Sequence, residues 1–250
     1  MTSRLRAALR LLRAVGCLVS GAWQVLVRFP GCGRDERQRR IAAWSRSVLS
    51  ALGVELRHHG LFRPGGTLLV SNHVSWLDIL AIHALCPRAR FVSKAEVRHW
   101  PLLGRMVSAA ETLYLERERK RDALRVVHQI AQALQAGDMV AVFPEGTTGD
   151  GRTLLPFHAN LLQAAIATAT PIQPLGLVYA DSDGPQTQAV AWVGEDTLAQ
   201  SLWRIAGAQG LQVTVTVLPP QGSAHADRRA LAEHLHDHVA QAVARGQEAG

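Results

Sequence analysis

A chain of 250 residues, 48% hydrophobic and 19% charged, is long enough for one well-buried domain with appendages and too apolar for intrinsic disorder. Its 27 Lys and Arg against 20 Asp and Glu leave a formal charge of +7, which suits nucleic acid, an anionic membrane surface or an anionic substrate. The three cysteines, Cys17, Cys32 and Cys86, are scattered and lack CxxC spacing, so they read as small hydrophobes of a reducing compartment.

The N-terminal stretch carries Arg6, Arg10 and Arg13, followed by an uncharged run from Ala14 to Val27. No small-residue cleavage pattern follows the apolar part, which argues against a signal peptide. The run also falls short of the roughly 18 apolar residues that a spanning helix needs. On a helix, Arg6, Arg10, Arg13, Cys17, Gln24 and Arg28 fall on one side, and Leu11, Val15, Leu18, Val19, Ala22 and Leu26 on the other. Such a helix lies in a membrane interface or packs on the domain, with spanning as the third choice; the interface is the leading expectation. After the break "FPGCGRDE", the segment "RQRRIAAWSRSVLSALG" predicts a second basic, Trp-bearing helix ending at Gly53. Residues 1–53 are therefore expected to form an amphipathic two-helix hairpin that docks on anionic lipid.

From Val54 to the C-terminus, strand-like and helical runs alternate. "TLLVS", "ARFVS", "ETLYL", "MVAVF", "IQPLGLVY", "AVAWV" and "LQVTVTVL" are the predicted strands. "LDILAIHAL", "RKRDALRVVHQIAQALQAG", "HANLLQAAIATA", "LAQSLWRIAGA" and "DRRALAEHLHDHVAQAVA" are the predicted helices. The fold class is α/β: a mixed, largely parallel sheet covered by helices over residues 54–250. His234 and His238 share a helical face, but no Cys or carboxylate cluster accompanies them, so a polar surface is expected and no metal site. "RHHG" at Arg57 to Gly60 reads as a solvated strand end. Gly-rich phosphate loops of the GxxxxGK or GxGxxG type are missing, as is the GxSxG elbow.

The informative stretch is "SNHVSWLDIL", Ser71 to Leu80. In one regular helix, His73 and Asp78 would be rotated about 140° apart. They meet only if His73 belongs to the turn leaving "TLLVS" and Asp78 sits near the start of the next helix. Ser71, Asn72 and Ser75 are suitable turn and capping residues for that arrangement. Asp78 could then accept the ring N–H of His73 and leave its other nitrogen as a base, although a satisfied polar turn is the competing reading. Downstream, "VAVFPEGTTGDG" puts Glu145 at a strand end beside Gly146, where an α/β domain meets its ligands.

Together these stretches resemble the glycerolipid acyltransferase family typified by bacterial 1-acylglycerol-3-phosphate acyltransferase. The NHxxxxD motif is matched by Asn72, His73 and Asp78, and the second motif by Tyr114, Leu115 and Arg117. FPEGT is matched from Phe143 to Thr147, and a Pro-rich strand start by Pro171 and Pro174 in "TPIQPLGLVY". Lys94 matches the Lys that often follows the first motif. The resemblance covers roughly Leu52 to Tyr179, and the four blocks together are specific. One departure stands out: many members continue FPEGT with Arg, and this chain has Thr148.

The resemblance implies acyl transfer from acyl-CoA or acyl carrier protein to the free hydroxyl of a lysolipid, with 1-acylglycerol-3-phosphate as the first expectation. It implies His73 as general base and Asp78 as its orienting partner. Glu145, Gly146 and Thr147, with Asn72, are implied on the acceptor side, and Arg117 and Lys94 as partners of its phosphate. No metal, redox group or other cofactor is expected, and no nucleic acid. The expected location is the cytoplasmic face of the inner membrane, peripheral or monotopic. Thr148 motivates a phosphate-free acceptor such as a lyso-ornithine lipid as the alternative. A basic peripheral protein without chemistry is the reading from a different class, and the ordered acid–base motifs weigh against it.

Overall fold

The computed structural model describes residues 3–115 and 120–248. Helix α1 (Ser3–Trp23) runs on through a π-helical turn (Gln24–Arg28) and a 3-10 turn (Phe29–Gly31), and α2 (Arg34–Leu52) returns alongside it. Then follow β1 (Glu55–His59), β2 (Thr67–Ser71), α3 (Leu77–Leu85) and β3 (Ala89–Lys94). After a 3-10 turn (Ala95–His99) come α4 (Leu103–Ala109), β4 (Leu113–Leu115), α5 (Lys120–Gln135) and β5 (Met139–Val142). The chain ends with α6 (Gln163–Ala167), β6 (Ile172–Ala180), α7 (Leu198–Gly207), β7 (Gln212–Val217) and α8 (Arg228–Glu248).

The strands form one seven-stranded sheet in the order β1-β7-β6-β2-β5-β3-β4. Among these described strands, the β6–β7 pairing is antiparallel and the other five are parallel. Strands of a sheet covered on both faces read as unbroken apolar runs, and "TLLVS" and "IQPLGLVYA" are buried at every position. Successive side chains serve opposite cores. Leu69 and Ala141 pack with α2 and α3, whereas Leu68, Val70, Val140 and Val142 pack with α5, α6 and α8. β7 instead alternates, with Val213, Val215 and Val217 buried.

Two expectations need correction. "AVAWV" is not a strand: Ala189–Val193 is irregular, although Val190 and Ala191 are buried. Its alternation suits a strand, but its backbone bonds go to loops: Trp192 N–H reaches the carbonyl of Val74 at 3.1 Å. The span-length reading also changes, because the helical run Arg4–Gly31, 28 residues, is long and apolar enough to cross a membrane by length and composition. "RHHG" overlaps the mostly exposed β1, as expected.

The hairpin does form, and both helices pack on the domain. α2 inserts Val48, Leu49 and Leu52 into the core beside α3. α1 packs through its small residues: Ala7 is 2% exposed, and Ala14 and Cys17 lie against the core. At Gly21 a Cβ would stand 2.5 Å from both Trp44 Nε1 and Met106 Cε, so glycine is what permits this approach. Trp44 Nε1 donates to the carbonyl of Cys17 at 2.7 Å. Arg10 also turns inward and donates to the carbonyls of Ala206 and Ala208 at 3.1 and 2.5 Å, at the end of α7. The side with Leu12, Val15, Val19, Trp23 and Leu26 is left uncovered, whereas Ala22, expected on the aliphatic side, is buried.

Candidate active site

β2 stops at Ser71, paired with Leu175, while its neighbour β6 continues to Ala180. The chain that leaves β2 therefore turns over an exposed length of strand, and polar contacts fix it there. The side-chain amide of Asn72 stands in for the next peptide of β2. Its Nδ2 donates to Leu177 O at 2.9 Å, and its Oδ1 accepts from Leu177 N at 2.8 Å. The backbone N–H of His73 donates to Glu145 Oε1 at 2.6 Å, and the His73 carbonyl accepts from Gly149 N at 2.7 Å.

In this turn His73 Nδ1 lies 2.7 Å from Asp78 Oδ2, so Nδ1 carries the ring proton and Nε2 is left as an acceptor. Asp78 is in the first turn of α3 and has no solvent exposure. Its Oδ2 also accepts the backbone N–H groups of Val74 and Ser75 at 2.7 and 3.0 Å. Tyr179, from β6, donates its hydroxyl to Oδ1 at 2.6 Å. Four donors thus hold one buried carboxylate, which satisfies the requirement that a buried charge be compensated. The five-residue gap is solved as anticipated, with His in the turn and Asp in the helix. The capping is different: no side chain caps α3, Asp78 instead takes the N–H groups of the turn before it, and the Ser71 and Ser75 hydroxyls have no hydrogen-bond partner among the described residues.

The imidazole keeps an 18% exposed side chain. It stacks on Phe143 with ring centres 3.9 Å apart and planes 9° from parallel. Phe143 leads into the loop after β5, where Gly146 adopts φ +71, a conformation that L side chains disfavour. Glu145 is buried, and its second oxygen accepts from Leu155 N at 2.9 Å. Burial pushes the Glu145 carboxyl above its ordinary range, opposed by the N–H groups of Leu155 and His73. Burial, then the neighbouring Asp78 charge, hold the Tyr179 phenol well above its usual value, so it stays a donor.

Asn72, His73, Asp78 and Glu145 are thus brought into one bonded unit, with the exposed Gly146 and Thr147 at its rim. Lys94 is exposed at the end of β3, level with Leu115 of β4. Arg117 lies outside the described residues. Thr148, at the position where Arg was expected, donates its hydroxyl to the carbonyl of Trp192. Sequence reasoning missed Tyr179, Leu155, Gly149 and Trp192; a tyrosine hydroxyl near the end of a buried, largely apolar strand was the one available signal. Among the described residues, no group of three or more His, Cys, Asp or Glu could hold a metal. His234 and His238 meet each other edge to face, with ring centres 4.2 Å apart. A cavity of about 460 Å³ lies away from the pair, beside β4 and α5. Its Arg90 is committed to Asp138 at 2.7 Å, and neither His73 nor Asp78 lines it.

The family described as Acyltransferase matches residues 54–178. The 1-acyl-sn-glycerol-3-phosphate acyltransferase of Neisseria meningitidis is 35% identical over 217 residues, 86% of this chain and 84% of that protein. The lyso-ornithine lipid O-acyltransferase of Pseudomonas aeruginosa is 35% identical over 243 residues, 95% and 93% of the two chains. The crystal structure of the 1-acyl-sn-glycerophosphate (LPA) acyltransferase PlsC from Thermotoga maritima shares the fold. Its TM-score is 0.74 at 18% identity, covering 98% of this chain and 97% of that one. These matches define an acyltransferase, and the chain belongs to the lysophospholipid acyltransferase family.

Proposed function

We propose that the chain esterifies the free hydroxyl of a lysolipid with a fatty acyl group from acyl-CoA or acyl carrier protein, using His73 as general base. The observation that carries this is the His73–Asp78 contact of 2.7 Å, with the carboxylate buried and the imidazole partly open. The acceptor hydroxyl gives its proton to His73 Nε2 as its oxygen attacks the thioester carbonyl. The tetrahedral intermediate then collapses to ester and thiolate, and the thiolate takes the proton from the imidazolium. Asp78 keeps the ring in the Nδ1–H tautomer and stabilises the imidazolium without accepting its proton. Glu145 holds the His73 backbone, and the exposed Gly146, Thr147 and Lys94 are assigned to the acceptor. No metal or cofactor takes part in this scheme.

Lysophosphatidate is the first acceptor, with Arg117 and Lys94 as the charges for its phosphate. A phosphate-free acceptor is the second reading. Thr148 favours it, because its hydroxyl is committed to Trp192 and carries no charge, and the lyso-ornithine relative aligns over more of this chain. The uncovered side of α1 would rest in an anionic leaflet on the cytoplasmic face, with the exposed Arg13 and Arg28 at headgroup level. The test is purified protein, one labelled acyl thioester and a panel of lysolipids read by mass spectrometry. Transfer to a lysolipid that disappears in His73→Ala is the expected result. A folded His73→Ala variant that keeps most of its rate would remove His73 from the mechanism.

A further inference from the structure

We infer that Tyr179 is a positioning residue of the reaction, acting through Asp78; the inference rests on His73 being the general base. What supports it is the hydrogen bonding between β6 and the turn. Leu175, Leu177 and Tyr179 occupy alternate positions of β6 and so face the same side of the sheet, in the core shared with α2 and α3. Each one meets the segment leaving β2 in turn. Leu175 pairs with Ser71, Leu177 is clamped by the Asn72 amide, and Tyr179 reaches Asp78. The overhanging part of β6 is a ruler along which the turn is laid.

The last contact on that ruler completes the carboxylate. Oδ2 faces His73, Val74 and Ser75, so the Tyr179 hydroxyl is the donor that fixes Oδ1 and with it the rotation of the carboxylate plane. The ionisable groups facing the pair are Tyr179 from β6 and Glu145 from the loop after β5. Glu145 reaches the turn only through backbone N–H, which leaves Tyr179 as the side chain that sets the carboxylate itself. The tyrosine touches no reacting atom. Without its hydroxyl, one oxygen of a buried anion is left unpaired and the carboxylate that directs the His73 ring is held at Oδ2 alone.

The experiment is Tyr179→Phe, measured as kcat and KM for donor and acceptor, alone and in the Asp78→Asn background. The expected result is a fall in kcat of roughly ten- to a hundred-fold with KM unchanged, and no further fall once Asp78 is Asn. The Nδ1–H proton resonance, assigned by its loss in His73→Ala, should shift in Tyr179→Phe. Should that variant not fold, fluorotyrosine incorporation keeps the side-chain shape and strengthens the donor. Of the two tyrosines, Tyr179 is the one that touches the pair, so the resonance should move in the opposite direction. An unmoved resonance, a kcat within twofold of wild type, or a loss that simply adds to that of Asp78→Asn overturns the assignment. An active His73→Ala would instead overturn the base reading beneath it.

Discussion

Between β2 and α3, a carboxylate with no solvent exposure is surrounded by four donors, while on α1 Leu12, Val15 and Val19 are 69%, 56% and 62% exposed. One region makes its polar contacts inside the protein; the other leaves its apolar surface outside. In a soluble monomer neither arrangement is favoured without a reason, since buried charge needs compensation and large apolar patches mark interaction surfaces. The difference assigns them different work. The turn is held by bonds made within the chain, and the outer side of α1 has no covering among the described residues.

The largest effect should come from breaking the polar region at its centre. Asp78→Asn should lower turnover by about 10³- to 10⁴-fold, the scale of the equivalent Asp-to-Asn change in serine proteases. The four donors add a cost to stability as well, so rates should be normalised to the folded fraction, read by circular dichroism. A folded Asp78→Asn enzyme within tenfold of wild type would separate the carboxylate from the chemistry.

Five residues further along α3, His83 sharpens the comparison from within the same helix. It is 5% exposed, and its Nδ1 has no hydrogen-bond partner among the described residues. Burial pushes its pKa from 6.5 down to about 4. The folded state therefore holds neutral imidazole, and its stability contribution is complete above pH 6.5 and lost as the pH falls towards 4. By linkage the loss amounts to about 3 kcal/mol. Urea unfolding of wild type should show this decline over that window, and His83→Leu should lack it. Equal slopes for the two proteins would mean that His83 is not the group responsible.

Much of the polar region was legible in the sequence, and the reasons it was not wholly so are physical. The strand–turn–helix reading of Asn72 to Asp78 followed from local turn chemistry, and β2, β5 and β6 from apolar runs that a two-sided sheet requires. Tyr179 escaped because its bond joins residues 101 positions apart, a distance no periodicity reports. "AVAWV" alternates like a strand but its backbone is claimed by Val74 and Thr148, which are contacts of tertiary origin. For α1 the helical wheel put Val15, Val19 and Leu26 on the exposed side, but the buried side cuts across both expected faces: Ala22 of the aliphatic side and Arg10 of the arginine side turn inward. Small residues decided it, because Ala7, Ala14 and Gly21 let the helix approach, and Arg10 found carbonyls at the end of α7.

Charging the exposed face should therefore separate the two regions. Leu12→Glu with Val19→Glu alters residues that contribute nothing to the core, so the melting temperature should stay within a few degrees of wild type. Co-sedimentation with anionic vesicles should fall by roughly tenfold or more, since each side chain withdrawn from lipid forfeits roughly 1.5–3 kcal/mol. Transfer to detergent-dispersed lysolipid should fall far less than transfer to lysolipid in vesicles. Undiminished vesicle binding by the folded variant would refute the membrane role of this face.

The smallest expected effect belongs to Thr148, which joins the FPEGT loop to the irregular segment after β6. Its hydroxyl donates to the Trp192 carbonyl, and the Trp192 N–H donates to the Val74 carbonyl in the turn between β2 and α3. One side chain thus braces the turn from outside. Thr148→Val keeps the shape and removes the donor, so unfolding free energy should drop by about 1 kcal/mol. If the residue is only a brace, the preference between lysophosphatidate and a lyso-ornithine lipid should not move, because no contact with either acceptor has been lost. A changed preference at unchanged stability would put the hydroxyl in the acceptor site. The loop would then be a specificity element, and Thr148 itself, in place of the missing arginine, would set the choice between a phosphate-bearing and a phosphate-free acceptor.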